Sequence, residues 1–418
     1  MMTAEEKRKC KKRVSLKPGA FKSLEGALSD ERCILRRIKY ADIPYEDIPL
    51  GAERLDSDYD ELDNDYDDDV LFEELVVYGW VTMNATACYW TNADIIDGTS
   101  DMFRGLSYLE SIDMSMISTS GIKDMSGMFS DCRSLKTLDL SSFDTSNVSS
   151  MMNMFHGCYE LELLDLSTLD TSKVTNMSYM FSGCSHLCDI NLSALNTSEV
   201  TSMEEMFSFC RNLKSLDLSS FDSSKVTNMR NMFRGCENLS SIVLSSLDTS
   251  SVKDMSYMFC SCASLTALDL TAFNTTSAWY MSGMFSECSN LKSVDLSSFR
   301  GEGVYMDRMF EHCLRLESVD ISCFHIDGIQ DMTAMFCECM NLKKIRLPSA
   351  ASGWLFFPPP MDRMFDGCES LESLDLSAFD SQSICETENL LRNCNSLKDV
   401  RYPDEYLEII PDGVDVQF

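Results

Sequence analysis

A Met-Phe pair recurs through this chain at a nearly fixed interval, and no other feature restricts the possible folds so strongly. The Phe of each pair falls at Phe103, Phe129, Phe155, Phe181, Phe207, Phe233, Phe259, Phe285, Phe310, Phe336 and Phe365. Successive gaps are 26 seven times, then 25, 26 and 29. The stretch 174–192, VTNMSYMFSGCSHLCDINL, shows the unit: Met-Phe, two variable residues, Cys, two more, then Leu. A period in this range marks a solenoid, in which each repeat is one coil that cannot bury its apolar face alone. The length of 418 residues would otherwise suggest two or three globular domains. A stacked array is free of that limit.

Each position within the repeat carries its own constraint. Eleven of the 19 cysteines fall in one column: Cys132, Cys158, Cys184, Cys210, Cys236, Cys262, Cys288, Cys313, Cys339, Cys368 and Cys394. A column repeated once per coil is a packing position, where Cys acts as a small apolar side chain. These thiols are therefore expected to be buried and free, and they say little about redox compartment. Methionine follows the same logic: 21 of 28 sit in two columns, exemplified by Met229 and Met232, as core filler and not as copper ligands. After the Cys come Leu at three, an aliphatic at six, usually Asp at seven and an aliphatic at eight, as in Cys210, Leu213, Leu216, Asp217 and Leu218. The last three alternate in-out-in, which predicts a short strand, and stacked coils align such strands into a parallel sheet. Val226, Met229, Met232 and Phe233 have the spacing of one face of a short α or 3₁₀ helix, which Gly235 would end.

The Cys-x-x-Leu-x-x-Leu-x-Leu run follows leucine-rich-repeat logic. Segments such as MFSGCSHL and LDLSSFDSSKVTNM resemble the BspA-like leucine-rich-repeat surface proteins, a repeat also described as a lipoprotein-associated bacterial domain of unknown function. The resemblance covers roughly residues 100–400. The expected fold is an α/β solenoid: a right-handed leucine-rich-repeat coil array with short parallel strands and short α or 3₁₀ helices, one set per Met-Phe period. The resemblance also implies an exported bacterial surface protein that takes part in adhesion. Against export, the basic cluster KRKCKKR at 7–13 is followed by VSLKPGAFKSL, too polar for the hydrophobic region of a secretory signal. No wall-sorting pattern is seen either. A cytosolic protein–protein interaction scaffold of the same fold is therefore the alternative.

The expected organisation has five parts. Residues 1–52 form a basic, partly helical or disordered segment, with a short helix from Asp30 through Tyr40. Residues 53–74 hold twelve acids and one Arg, a self-repelling run that reads as a disordered linker. Its alternating acids lack the Gly and Glu of a calcium loop, having Glu61 and Asp67 at those places. Residues 75–105 read as an N-terminal cap, 106–400 as the solenoid and 401–418 as a C-terminal cap.

No constellation for catalysis, metal binding or a cofactor emerges. The four histidines occupy four different repeat phases, and the pairs Cys260/Cys262 and Cys337/Cys339 lie three coils apart. The net charge of −32 argues against nucleic acid and favours cationic partners. No apolar run is long enough to span a membrane, and a monomer is expected. Two features stand out as candidate binding sites. One is an outward column of Asp139, Asp165, Asp217, Asp269, Asp295, Asp320 and Asp375, read either as solvated side chains bonded to neighbouring Ser or as a face for a partner. The other is Trp354, Phe356 and Phe357, crowded before three prolines in the longest repeat. These aromatics either pack over the adjacent coil or form a contact patch. The chain thus reads as a non-enzymatic binding scaffold for a protein or host-surface ligand.

Overall fold

Stacking identical coils places each Phe on the next, and the computed structural model shows that stack unbroken from Phe103 to Phe365. Neighbouring rings are nearly parallel, from 5.3 Å between Phe103 and Phe129 to 6.0 Å between Phe207 and Phe233. The structure describes residues 100–401 apart from 115–116, 325, 349–358 and 380–388, with the strands at 33–34, 38–39, 73–74, 87–89, 93–94 and 415–417. Met and Phe columns, Cys column and leucines form one continuous core. The longest repeat, between Cys339 and Cys368, keeps this core: Met361, Met364 and Phe365 are buried, and Phe365 stacks on Phe336 at 5.6 Å.

The strands of the array pair in parallel between adjacent coils. Ser215–Asp217 pairs with Ser241–Val243, Ser318–Asp320 with Lys344–Arg346, and Ser373–Asp375 with Asp399–Arg401. Leu216 points inward between exposed Ser215 and Asp217, the alternation expected of a half-buried strand. A second ladder runs through isolated bridges from Asp124 to Tyr305. Toward the N-terminus, Ala87–Tyr89 pairs in parallel with Ser111–Asp113. Where a helix is expected from Asp30 through Tyr40, Cys33–Ile34 and Ile38–Lys39 are strands.

The expected α/β class is wrong: the chain is a β-solenoid of parallel strands repeating once per Met-Phe period, without an α-helix among the described residues. Ile326–Gly328 forms one turn of 3₁₀ helix. The reason lies in the backbone on either side of each Phe. Asn231, two residues before Phe233, has φ 54°, and Gly235, two residues after it, has φ 69°. Left-handed residues at both places end any helical run after a turn. The N–H groups alternate in direction. Met229, Asn231, Phe233 and Gly235 donate to the next coil, at Asp254, Ser256, Met258 and Cys260. Met232, Arg234 and Cys236 instead close tight turns on the residue three back. The apolar spacing that resembles a helix face is that of successive turns.

Two hydrogen-bond ladders tie the coils together inside the core. Each column Cys donates its thiol to the carbonyl of the Phe in the preceding coil, as Cys236 Sγ does to Phe207 O at 3.1 Å. A buried hydroxyl column, Thr145, Thr171, Thr197, Ser223, Thr249 and Thr275, grips the next coil's backbone. Thr197 Oγ1 accepts from Asp222 N–H at 2.8 Å and donates to Asp222 O at 2.9 Å. Both backbone polar groups of Asp222 are satisfied by one side chain.

The fifteen cysteines whose side chains are described are free thiols, and thirteen are buried. Burial pushes Cys236 and Cys394 up to about 12. Stacked identical rotamers also keep neighbouring thiols side by side, not facing one another. Among the described cysteines, a thiol reagent on native protein should react quickly at Cys188, slowly at Cys323 and hardly at the column. Denaturation should release the thirteen buried thiols, and disulfides mapped between successive column cysteines would contradict this arrangement.

Candidate functional site

The Asp column lies on the outer face of the strand ladder, one carboxylate per coil. Neighbouring rungs of a parallel sheet are about 4.8 Å apart, so an uninterrupted row of like charges repels itself. The local backbone offsets this. In each coil Asp Oδ1 accepts the N–H of the residue two on: Ser141 for Asp139, Ser167 for Asp165, Ser219 for Asp217, Thr271 for Asp269, Ser297 for Asp295, Ser322 for Asp320 and Ser377 for Asp375. These are Asx turns, which end the strand and fix each side chain.

The same bonds hold the carboxyls below the usual range. For Asp139, Asp217 and Asp269 the hydroxyl of the capping residue is the larger cause and its N–H the next. For Asp165 and Asp295 the N–H comes first. At Asp320 burial is the largest single influence and acts upward, but the bonds from Ser322 and Arg346 together outweigh it. The face is interrupted by Asn191 and Val243, and toward the C-terminus by two arginines. Arg346 meets Asp320 at 3.4 Å and Arg401 meets Asp375 at 3.5 Å. Such exposed pairs are worth about 0–1 kcal/mol each. Between Asp295, Asp320 and Arg346, over Val294, Val319 and Ile345, the surface dips into an open depression of about 450 Å³.

The structure therefore brings all seven predicted Asp into one line of exposed, oriented carboxylates. Trp354, Phe356 and Phe357 lie outside the described residues. Among described histidine, cysteine and acidic residues, no group of three or more is placed to hold a metal ion.

Three arrangements escape the sequence pattern. A second Asx row, Asp144, Asp170, Asp222 and Asp248, caps the next turn, each accepting from Ser two residues on. Arg234 lies between the rings of Phe209 and Tyr257, 5.8 Å from each. Asp366 is fully buried in a column that reads mainly Ser and Arg, and it binds two arginines. The repeated Asp-x-Ser would have revealed the first. The other two follow only from neighbours in adjacent coils.

Two family models account for the array. One, described as a Mycoplasma protein of unknown function, DUF285, matches residues 97–215, 158–263 and 204–305, a span of half the chain. The other, the BspA-type leucine-rich-repeat region, matches 256–357 and 306–414. The chain belongs to the family described as DUF285, and its C-terminal coils match the BspA-type leucine-rich-repeat region.

Solved structures with related coils include a leucine-rich cell surface protein from Faecalibacterium prausnitzii A2-165, at 18% identity over 78% of this chain and 80% of that one, TM-score 0.32. A leucine-rich-repeat protein from Eubacterium ventriosum ATCC 27560 matches at 15% identity over 76% and 86%, TM-score 0.34. The pneumococcal vaccine antigen PcpA matches at 15% over 79% and 77%, TM-score 0.29. These superpositions are loose, and the family assignment rests on the repeat itself. No curated protein matches the chain significantly. The coils are those of a leucine-rich-repeat scaffold. No helix among its described residues is long and apolar enough to cross a membrane.

Proposed function

We propose that this chain is a cell-surface or secreted adhesin-like scaffold, monomeric, whose strand face receives a cationic protein or host-surface ligand. One observation carries the proposal: seven exposed carboxylates in a line, each held in place by its own Asx turn. Fixed charge attracts a basic surface from a distance and loses little side-chain freedom on contact. Trp354, Phe356 and Phe357 are included as a second contact patch on the strength of their sequence alone, since aromatics beside a stiff proline run make good anchors.

Replacing all seven column Asp by Asn keeps the turn acceptor and removes the charge. Binding of the full chain to immobilised polylysine at low salt should fall at least tenfold, about 1.4 kcal/mol, with a flatter salt dependence. Unchanged binding would remove the face from the proposal. Fractionation of the native cells tests location: recovery in the cytosol alone would overturn surface display and leave an internal interaction scaffold.

A further inference from the structure

The bridge ladder that runs through Asn176, Ser202, Asn228 and Asp254 changes character at its next two rungs, Tyr280 and Tyr305. Their rings stack, with centroids 5.4 Å and planes 15° apart. Trp279 stands beside Tyr280 in the column that holds Thr227 and Lys253 in the two preceding coils, and its carbonyl accepts from Tyr305 N–H at 2.9 Å. All three side chains are exposed, Trp279 by 60%, Tyr280 by 44% and Tyr305 by 39%.

Tyr305 keeps the rung just before the column Met although its coil is the shortest in the array, and the residue missing from that coil is the one in the Trp279 column. One residue separates Val304 from Met306, where two separate Val226 from Met229. The pairing register shifts at Val304/Tyr305 as a result. The core does not require this change. Val304, Met306 and Phe310 are buried as in other coils, and Phe310 still stacks on Phe285 at 5.3 Å. The aromatics belong to the surface.

Acids bound the patch along the ladder. Asp254 pairs with Tyr280 on one side, and Tyr305 pairs with Asp331 on the other. Each acid is held by a turn, Asp254 Oδ1 accepting from Ser256 N–H at 2.8 Å and Asp331 Oδ1 from Thr333 N–H at 2.8 Å. Three rung spacings of about 4.8 Å put the two acids about 14 Å apart. Exposed Glu302 and half-buried Asp307 belong to the coil of Tyr305, and Lys253 is the cation next to Asp254.

We propose that the stacked tyrosines and Trp279, bounded by Asp254 and Asp331, dock an extended basic polypeptide with Arg or Lys at positions i and i+4 and an apolar residue between. An extended chain advances about 3.4 Å per residue, so i and i+4 share a face about 14 Å apart, the spacing of the two acids. The central apolar side chain lies on the tyrosine pair, and a guanidinium gains from the Trp279 face. Trp and Tyr in a charged frame are the residues that dominate protein-binding hot spots. A second copy of this chain, carrying −32, is repelled instead. The ladder is separate from the strand-face Asp column, and the inference does not depend on that face.

The test uses the full chain and a synthetic peptide with Arg at its first and fifth places, Leu at the third and Ser between, followed by calorimetry at low and physiological salt. In one variant Trp279→Thr and Tyr280→Asn install residues that the same columns carry at Thr227 and Asn228, so the coil retains its fold. It should bind at least tenfold more weakly. Asp254→Asn with Asp331→Asn should lose affinity at low salt and flatten the salt dependence. The strand-face Asp→Asn variant should bind this peptide as the parent does. A peptide with its two Arg at the first and third places should bind at least fivefold more weakly. The proposal is overturned if the parent does not bind, if the Trp279/Tyr280 variant binds equally, or if the strand-face variant alone loses binding. Equal binding of the respaced peptide, or of a neutral oligosaccharide, also overturns it.

Discussion

Phe233→Ala should destabilise its region of the array by about 3–5 kcal/mol, the cost of deleting a buried aromatic and leaving a cavity. Phe233 lies between Phe207 at 6.0 Å and Phe259 at 5.4 Å, so two stacking contacts go with the ring. The loss should stay local, because a coil touches only its neighbours. Hydrogen exchange should accelerate across residues 207–259 and remain slow around Phe129 and Phe336. A uniform rise along the array would mean that the coils unfold as one unit. Global melting alone is a poor readout, since long arrays depart from two-state behaviour.

The second large effect is expected at Asp366. This fully buried carboxylate accepts from Arg363 Nε at 3.1 Å, from Arg392 Nε at 3.1 Å and from Asn393 Nδ2 at 3.2 Å. It thereby ties the last two well-formed coils. Breaking a fully buried ion pair costs about 3–5 kcal/mol. Here the arginines are 42% and 55% exposed and regain water when released, so Asp366→Ala should cost about 2–4 kcal/mol. Asp366→Asn keeps one acceptor and should cost less. Chemical denaturation combined with exchange over residues 336–397 measures both. Equal stability of Asp366→Ala and the parent would mean that the cluster contributes nothing net.

What sequence reading captured and missed follows from where the information resides. The Phe, Met and Cys columns were legible because a solenoid writes its core once per period. The in-out-in strand at Leu216–Leu218 was legible for the same reason, and so was the line of Asp on the outer face. The helix was not. Val226, Met229, Met232 and Phe233 recur at three and one, which suits a helix face and equally a chain of tight turns. The deciding residues are those two before and two after Phe. They are Gly at some coils, but Asn231, Tyr257, Arg308 and Phe209 at others, and all adopt positive φ. A non-Gly left-handed residue costs roughly 1–3 kcal/mol, which stacking and the ladders to adjacent coils offset. Single-coil pattern cannot show that balance. The thiol-to-carbonyl bond explains why the column favours Cys, a role that packing volume alone does not distinguish from Ala. Trp279, Tyr280 and Tyr305 drew no expectation from the sequence, because they interrupt polar columns in two different coils. Only the paired rungs showed that the rings meet.

The hydroxyl ladder has a genetic consequence. Thr171, Thr197 and Thr249 each hold the following coil through the same two backbone bonds. A segment of one period, cut at matching positions, therefore starts and finishes on complementary donors and acceptors. Gain or loss of one whole period by slippage during DNA copying would keep these two bonds at the new junction. The reach of the molecule can thus drift across generations independently of the chemistry displayed on any one turn.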